Sequence, residues 1–315
     1  MSERTARVIH TGQAMVDLVV EVPHLPVRGG NVMADTATRY AGGSVTILVA
    51  AARQGVRAVQ AGAVGTGPNG DLVREVLAAE GVQVSSAPVA DIDTGVCVVM
   101  VEPTAERSFV TTRAAERRIT AESLGTSQAG PGDLVCVSGY TLFPSTRDPL
   151  MVWLETLDDG VVVVLDPGAP FAAFEPDLVE RVLALTDVWT SNAQEAQELT
   201  GVQDVEASCA AVAERLPEAA VVVVRDGPQG CWVRVAGETT YVPGFPQTPV
   251  DTNGAGDTHT GVLCAGVARG LDWEETARRA NAAGAIKVTR KGPATAPTAD
   301  EVDAFLAREA GGAQA

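Results

Sequence analysis

The chain has 315 residues, 46% hydrophobic and 20% charged, which lets it bury roughly three quarters of its unfolded surface and excludes disordered and collagen-like classes. Lys and Arg number 23 against 40 Asp and Glu, a formal net charge of −17 that repels phosphate backbones and anionic lipid, so neither nucleic acid nor a membrane surface is an expected partner. Aromatics are only 4% of the chain while Gly and Ala abound, which disfavours an aromatic-cored sandwich and suits helices packed closely on a sheet.

Residues 1 to 5 carry no apolar signal core, and apolar runs such as 161 to 165 are far too short to span a bilayer, so a soluble, cytoplasmic protein is expected. In chain order, β-branched runs predict strands at 8–10, 58–60, 134–137, 161–165, 188–189 and 221–224. Helical stretches fall between them at 47–54, 72–79, 193–199 and 205–216, and a later one covers 273–289. The alternation is that of a mostly parallel sheet covered on both faces. Residues 12 to 40 and 93 to 118 break the rhythm as extended, alternating pieces that could pair into a small separate sheet. No internal repeat or linker divides the chain, and only the Ala/Gly-rich tail from Ala310 looks loose. Cys97, Cys136, Cys209, Cys231 and Cys264 are odd in number and scattered without a Cys-x-x-Cys pair, the pattern of buried reduced thiols.

Gly65-Thr66-Gly67-Pro68-Asn69-Gly70 is a literal G-x-G-x-x-G between a strand and a helix, the form of a dinucleotide fingerprint. Pro68 inside the turn, the lack of an acidic residue ending a clear second strand about 20 positions on, and the segment preceding it all favour a structural or substrate-side glycine turn. The chain's two lysines, Lys287 and Lys291, follow no Walker-type glycine loop. H-R-D, D-F-G, H-E-x-x-H and G-x-S-x-G are all missing, which removes protein-kinase, metallopeptidase and serine-hydrolase readings.

The informative stretch is Asp251-Thr252-Asn253-Gly254-Ala255-Gly256-Asp257-Thr258, leading into an apolar helix. Small residues here let the first-turn N–H groups of Gly254, Ala255, Gly256 and Asp257 approach an anion, aided by the helix dipole. Asp257 beside such an anion hole suits a general base that accepts the proton of an attacking hydroxyl. The alternative is an Asp-capped helix with a glycine turn.

With these residues the chain resembles the ribokinase-like (PfkB) carbohydrate kinases over residues 7 to 300. Asp251 to Asp257 is similar to that family's D-T-x-G-A-G-D, Ala41-Gly42-Gly43-Ser44-Val45-Thr46 to its glycine-pair motif, Asn192-Ala193-Gln194-Glu195 to its N-x-x-E, and Arg225 to Gly230 to its nucleotide turn. The resemblance implies a single three-layer α/β/α domain, Rossmann-like with a mostly parallel sheet, and a small β-sheet lid made of the two segments that break the rhythm. It implies ATP and Mg²⁺ as cofactors, K⁺ as a monovalent cofactor and a sugar as acceptor, and pairing of exposed lid strands points to a homodimer through the lid.

By the same resemblance Asp17, Gly42, Gly43 and Thr46 bind the acceptor, and Gly62, Gly65 and Gly70 lie near it. Asn192 and Glu195, three apart and so on one helical face, organise Mg²⁺ and phosphate. Arg225, Gly227, Gly230 and Asn281 line the nucleotide, and Asp251 and Asn253 with the loop 292–295 form the monovalent-cation site. The sequence departs from the family pattern at Thr46, which replaces an asparagine, and at His259, where an aromatic is usual. The activity so implied is phosphoryl transfer from ATP to a primary hydroxyl of a sugar or sugar-like alcohol. A nucleoside kinase of the same fold, a catalytically silent sugar-binding relative and, remotely, a nicotinamide oxidoreductase are the alternatives.

Overall fold

The computed structural model describes residues 5–104 and 106–312; most of the signal-region reading at 1 to 5, and the last three residues of the loose tail, lie outside them. In the first half, β1 (Arg7–His10) is followed by β2 (Ala14–Glu21), β3 (Thr36–Gly43), α1 (Ser44–Arg53), β4 (Arg57–Gln60), α2 (Pro68–Ala79), β5 (Gln83–Val84), β6 (Val96–Val101) and β7 (Arg107–Thr111). Then come α3 (Ala121–Gly125), β8 (Leu134–Ser138), α4 (Pro144–Leu154), β9 (Val162–Asp166), α5 (Pro176–Ala184), β10 (Val188–Asn192), α6 (Ala193–Thr200), α7 (Val205–Ala213) and β11 (Val221–Arg225). The chain closes with β12 (Gly230–Val235), β13 (Glu238–Pro243), α8 (Ala255–Ala268), α9 (Trp273–Val288) and α10 (Ala299–Gly312).

Nine strands form one sheet in the order β13-β12-β11-β10-β9-β8-β1-β4-β5, parallel from β11 to β5 and antiparallel at β12 and β13. Its central strands are buried on both faces, which is why Val221 to Val224 read as a continuous apolar run instead of an alternation. The pleat divides them. Val8, Leu134, Val164 and Val223 pack with α1, α2, α8, α9 and α10, while Ile9, Val135, Leu165 and Val224 pack with α3 to α7. This makes three layers, with an apolar core on each side of the sheet. The five cysteines are free and buried.

The segments that broke the sequence rhythm build a second sheet of four strands, β3-β2-β6-β7. The β12–β13 hairpin, which the sequence reading missed, carries its own signal: Trp232 to Val235 alternate and end at Ala236-Gly237, both at positive φ. The 205–216 helix stops at Ala213.

Two helices that carry much of the site, α1 and α8, approach so closely that a Cβ on Gly261 would lie 2.3 Å from the Ile47 carbonyl oxygen. Gly284 in α9 is different, since a Cβ there would come no nearer than 3.9 Å to the Ala255 carbonyl. Gly261→Ala is therefore expected to lower unfolding stability by about 1–3 kcal/mol through overpacking. Gly284→Ala should raise it by up to about 1 kcal/mol through helix propensity, both read from urea titration.

Candidate active site

Strands β9, β10 and β11 end at Asp166, Asn192 and Arg225, so their C-terminal ends gather polar groups along one edge of the sheet. Three other helices begin with conventional side-chain caps: Asn192 for α6, Asp204 for α7 and Asp272 for α9. Helix α8 has none. Its N-cap is Gly254 in the left-handed region at φ 78°, with no side chain accepting from the first turn. The Ala255 amide donates to Thr252 O at 3.2 Å and so leaves the predicted anion hole, while the Gly256 and Asp257 amides have no protein acceptor among the described residues. A glycine N-cap costs a helix only a few tenths of a kcal/mol relative to a side-chain cap, and the amides it leaves unpaired are of the kind that can receive an anion.

Two cavities meet there. One, of about 470 Å³, is lined by Gly227, Gly230, Ala255, His259 and Asn281 among others; the second, of about 520 Å³, by Asp17, Gly43, Asp166, Glu195 and Asp257. Asn192, Arg225 and Gly256 line both. Arg225 donates to Thr190 Oγ1 at 2.8 Å and Thr260 Oγ1 at 3.2 Å and stands 3.8 Å from Asp166, so its guanidinium is held at the junction. Asp166 went unread in the sequence. Its signal was the end of a β-branched run, since ligand-facing residues collect at the carboxyl ends of parallel strands.

The second cavity is strongly acidic. Burial pushes the Asp257 carboxyl up to about 7, with Asp166 adding to the rise and Arg225 opposing it. Burial and then Asp166 likewise raise Glu195 to about 7, and burial raises Asp17 to about 6. Asp17 owes its position to the glycine pair, because a Cβ on Gly42 would fall 2.3 Å from its Oδ2. Gly43, at φ 63°, is equally constrained by Gln13 O.

Several predicted positions act differently from expectation. Asn192 and Glu195 do not share a helical face: Asn192 sits before the helix, its Oδ1 accepting from Glu195 N at 2.8 Å while Glu195 Oε2 accepts from Asn192 N at 2.9 Å. Asn281 lines the first cavity but is buried, with its amide donating to Val242 O and Pro243 O and its oxygen 3.1 Å from His259 Nε2. It ties α9 to β13 and α8. Thr46 is absent from both cavity linings and packs beneath the α8 start, its Cγ2 3.1 Å from where a Gly254 Cβ would be. Gly62, Gly65 and Gly70 line neither cavity. The G-x-G-x-x-G turn instead receives the Asp93 carboxylate, which accepts from Gly70 N at 2.9 Å and Asn69 N at 3.1 Å and so fills the α2 start with the protein's own anion.

Among the described residues no cluster of three or more His, Cys, Asp or Glu could hold a metal directly. Asp166 and Glu195 are nevertheless oxygen donors whose mutual repulsion a divalent cation relieves, which fits Mg²⁺ held through water and phosphate oxygens. A monovalent cation fits poorly at Asp251. Its carboxylate accepts from Asn253 N, Gly292 N and Arg107, and its carbonyl from Lys287 Nζ.

The sequence matches the model for pfkB family carbohydrate kinases over residues 5–300. It is 31% identical over 307 residues, 96% of this chain and 95% of the relative, to the uncharacterized sugar kinase YegV of Escherichia coli (strain K12). It is 28% identical to a ribokinase of Haemophilus influenzae, over 94% and 96% of the two chains. A double-mutant fructokinase of Vibrio cholerae O395, solved with fructose, ADP and potassium ion, superposes with a TM-score of 0.78 at 27% identity, over 97% of this chain and all of that one.

A raised folded-state carboxyl pKa means the native state binds more protons than the unfolded one, so stability from this group falls as pH climbs from about 4 to about 7. Asp257→Asn removes the buried charge. Its gain in thermal midpoint over the unliganded parent is expected to widen across that pH range and to level off above it.

Proposed function

The chain belongs to the pfkB family of carbohydrate kinases, with its ribokinase-like fold, and on that premise we propose that it transfers the γ-phosphoryl group of ATP to a hydroxyl, primary by preference, of a sugar or sugar-like alcohol. One observation carries this reading: the bare start of α8 and Arg225 stand between two cavities, with Asp257 facing only the second. A nucleotide in the first cavity and an acceptor in the second would meet at that wall. Gly227 and Gly230 let backbone lie against the nucleotide, while Asp17 accepts hydrogen bonds from acceptor hydroxyls.

In the reaction the Asp257 carboxylate takes the proton of the acceptor hydroxyl, whose oxygen bonds to the γ-phosphorus as the bond to the β–γ bridging oxygen breaks and ADP departs. The Gly256 and Asp257 amides and Arg225 stabilise the negative charge on the transferring group. Asn192, Asp166 and Glu195 would hold Mg²⁺ through water, and the bound ion neutralises triphosphate charge. The small sheet supplies Phe109, Thr111 and Cys97 to the acceptor cavity, so it acts as a lid that excludes water. Its β7 edge bears exposed Phe109 and Val110, which supports a homodimer through the lid.

Asp257→Asn should lower turnover at least about a hundredfold while retaining nucleotide affinity by calorimetry. For the parent protein kcat/KM should rise with pH through about 7 and then level, because only the ionised carboxylate accepts a proton. ADP release over sugars, sugar phosphates and nucleosides identifies the acceptor. Near-parental turnover in the Asn variant, or ADP release with none of these acceptors, would refute the assignment.

A further inference from the structure

Lys287, in the last turn of α9, is fully buried, whereas the chain's other lysine, Lys291, is exposed and paired with Glu21 of β2. The Lys287 ammonium donates to Asp251 O at 2.8 Å and Arg290 O at 3.4 Å, two backbone carbonyls from separate loops that converge on it. Two residues before Asn253 and three before the Gly254 N-cap, Asp251 opens the loop that delivers the bare helix start. The same loop is anchored by the Val288 carbonyl, which accepts from Val250 N at 2.7 Å and Asp251 N at 3.0 Å. From the small sheet, Arg107 reaches Thr252 Oγ1 at 2.9 Å and Asp251 Oδ1 at 3.2 Å.

Carbonyl oxygens converging at a buried point need a cation or a strong donor, since otherwise their desolvation is uncompensated. A monovalent metal ion would satisfy them with its charge, and an ammonium does so with three N–H donors on a covalent tether. Here the tether fills the position, and Arg107 balances the Asp251 carboxylate.

We propose that Lys287 is a built-in monovalent cation: its ammonium takes the place that a potassium ion would occupy at the 251 and 290 carbonyls, fixing the loop that positions the anion hole, so that the protein needs no such ion. Lys287 touches neither cavity lining and is a positioning residue. Only the activity arm of the test rests on the kinase reading.

The test compares the parent, Lys287→Ala and Lys287→Met in potassium chloride and in tetramethylammonium chloride at equal ionic strength, by thermal midpoint and by ADP release. The parent should give the same midpoint and rate in both salts. Lys287→Ala, which leaves room for an ion, should melt lower and turn over at least about tenfold more slowly in tetramethylammonium, with both recovering in potassium or ammonium chloride. Lys287→Met fills the space without charge and should not recover in any of these salts. A parent midpoint that rises in potassium, or an alanine variant no more responsive to potassium than the parent, would overturn the proposal. If no acceptor is turned over the midpoints still decide it. If Lys287→Ala is stable only in potassium chloride, its unfolding on dialysis into tetramethylammonium, with the parent surviving, is the same supporting result.

Discussion

A helix start left without a cap, at the seam between two cavities, is the constraint around which the rest of the site is arranged. Elsewhere α6, α7 and α9 are capped by Asn192, Asp204 and Asp272 and the α2 start is closed by Asp93, whereas α1, like α8, starts at a positive-φ glycine, Gly43, without a side-chain cap. At α8 the Gly256 and Asp257 amides are without a protein acceptor among the described residues, and the surrounding residues are those that permit this. Gly254 adopts the left-handed turn, Thr46 fills the space beneath it, and Gly261 lets the helix lie directly on α1. Lys287 holds the preceding loop by a backbone carbonyl, and Arg107 holds it by the Thr252 and Asp251 side chains. Preorganised donors of this kind stabilise developing charge without having to reorient during the reaction.

The electrostatics run in two scales. At long range the protein carries −17 and repels anions. Within the site Asp17, Asp166, Glu195 and Asp257 line one acidic cavity, and burial with mutual repulsion lifts Asp257 and Glu195 to about 7. A carboxyl with a pKa near neutrality is a better proton acceptor than an ordinary one, which suits the role proposed for Asp257, and a bound divalent cation would lower it again. Arg225 and the α8 amides supply the local positive field that the overall charge denies. Under the proposed function, phosphate would be recognised by a few fixed dipoles and the Arg225 guanidinium held by Thr190 and Thr260.

The small sheet shapes the second cavity. Strand β2 carries Asp17, and the neighbouring β3 supplies Gly42, whose missing side chain is the space that the carboxylate fills. Arg107 on β7 links the same sheet to Thr252 and Asp251, and Glu21 on β2 links it to Lys291. Tyr40 of β3 packs against Gly292, where a Cβ would come within 2.8 Å of its ring. These contacts tie the small sheet to the loop that precedes α8.

The βαβ rhythm, the two extended segments and the Asp251 to Asp257 stretch were legible from residue order alone, because strand burial, helix periodicity and small residues at a helix start are local properties. The two-sided core was implicit in runs such as Val221 to Val224, and the β12–β13 hairpin was readable from its Ala-Gly turn but was missed. What residue order could not decide was which polar group satisfies which. Asn192 and Glu195 cap each other, Asn281 is engaged by β13 and His259, Asp93 closes the α2 glycine turn, and Lys287 occupies a site whose oxygens come from residues 251 and 290. Each of these pairings joins atoms set by the packing of separate elements, and the choice among possible partners is made by desolvation, which acts only once the chain has closed around them.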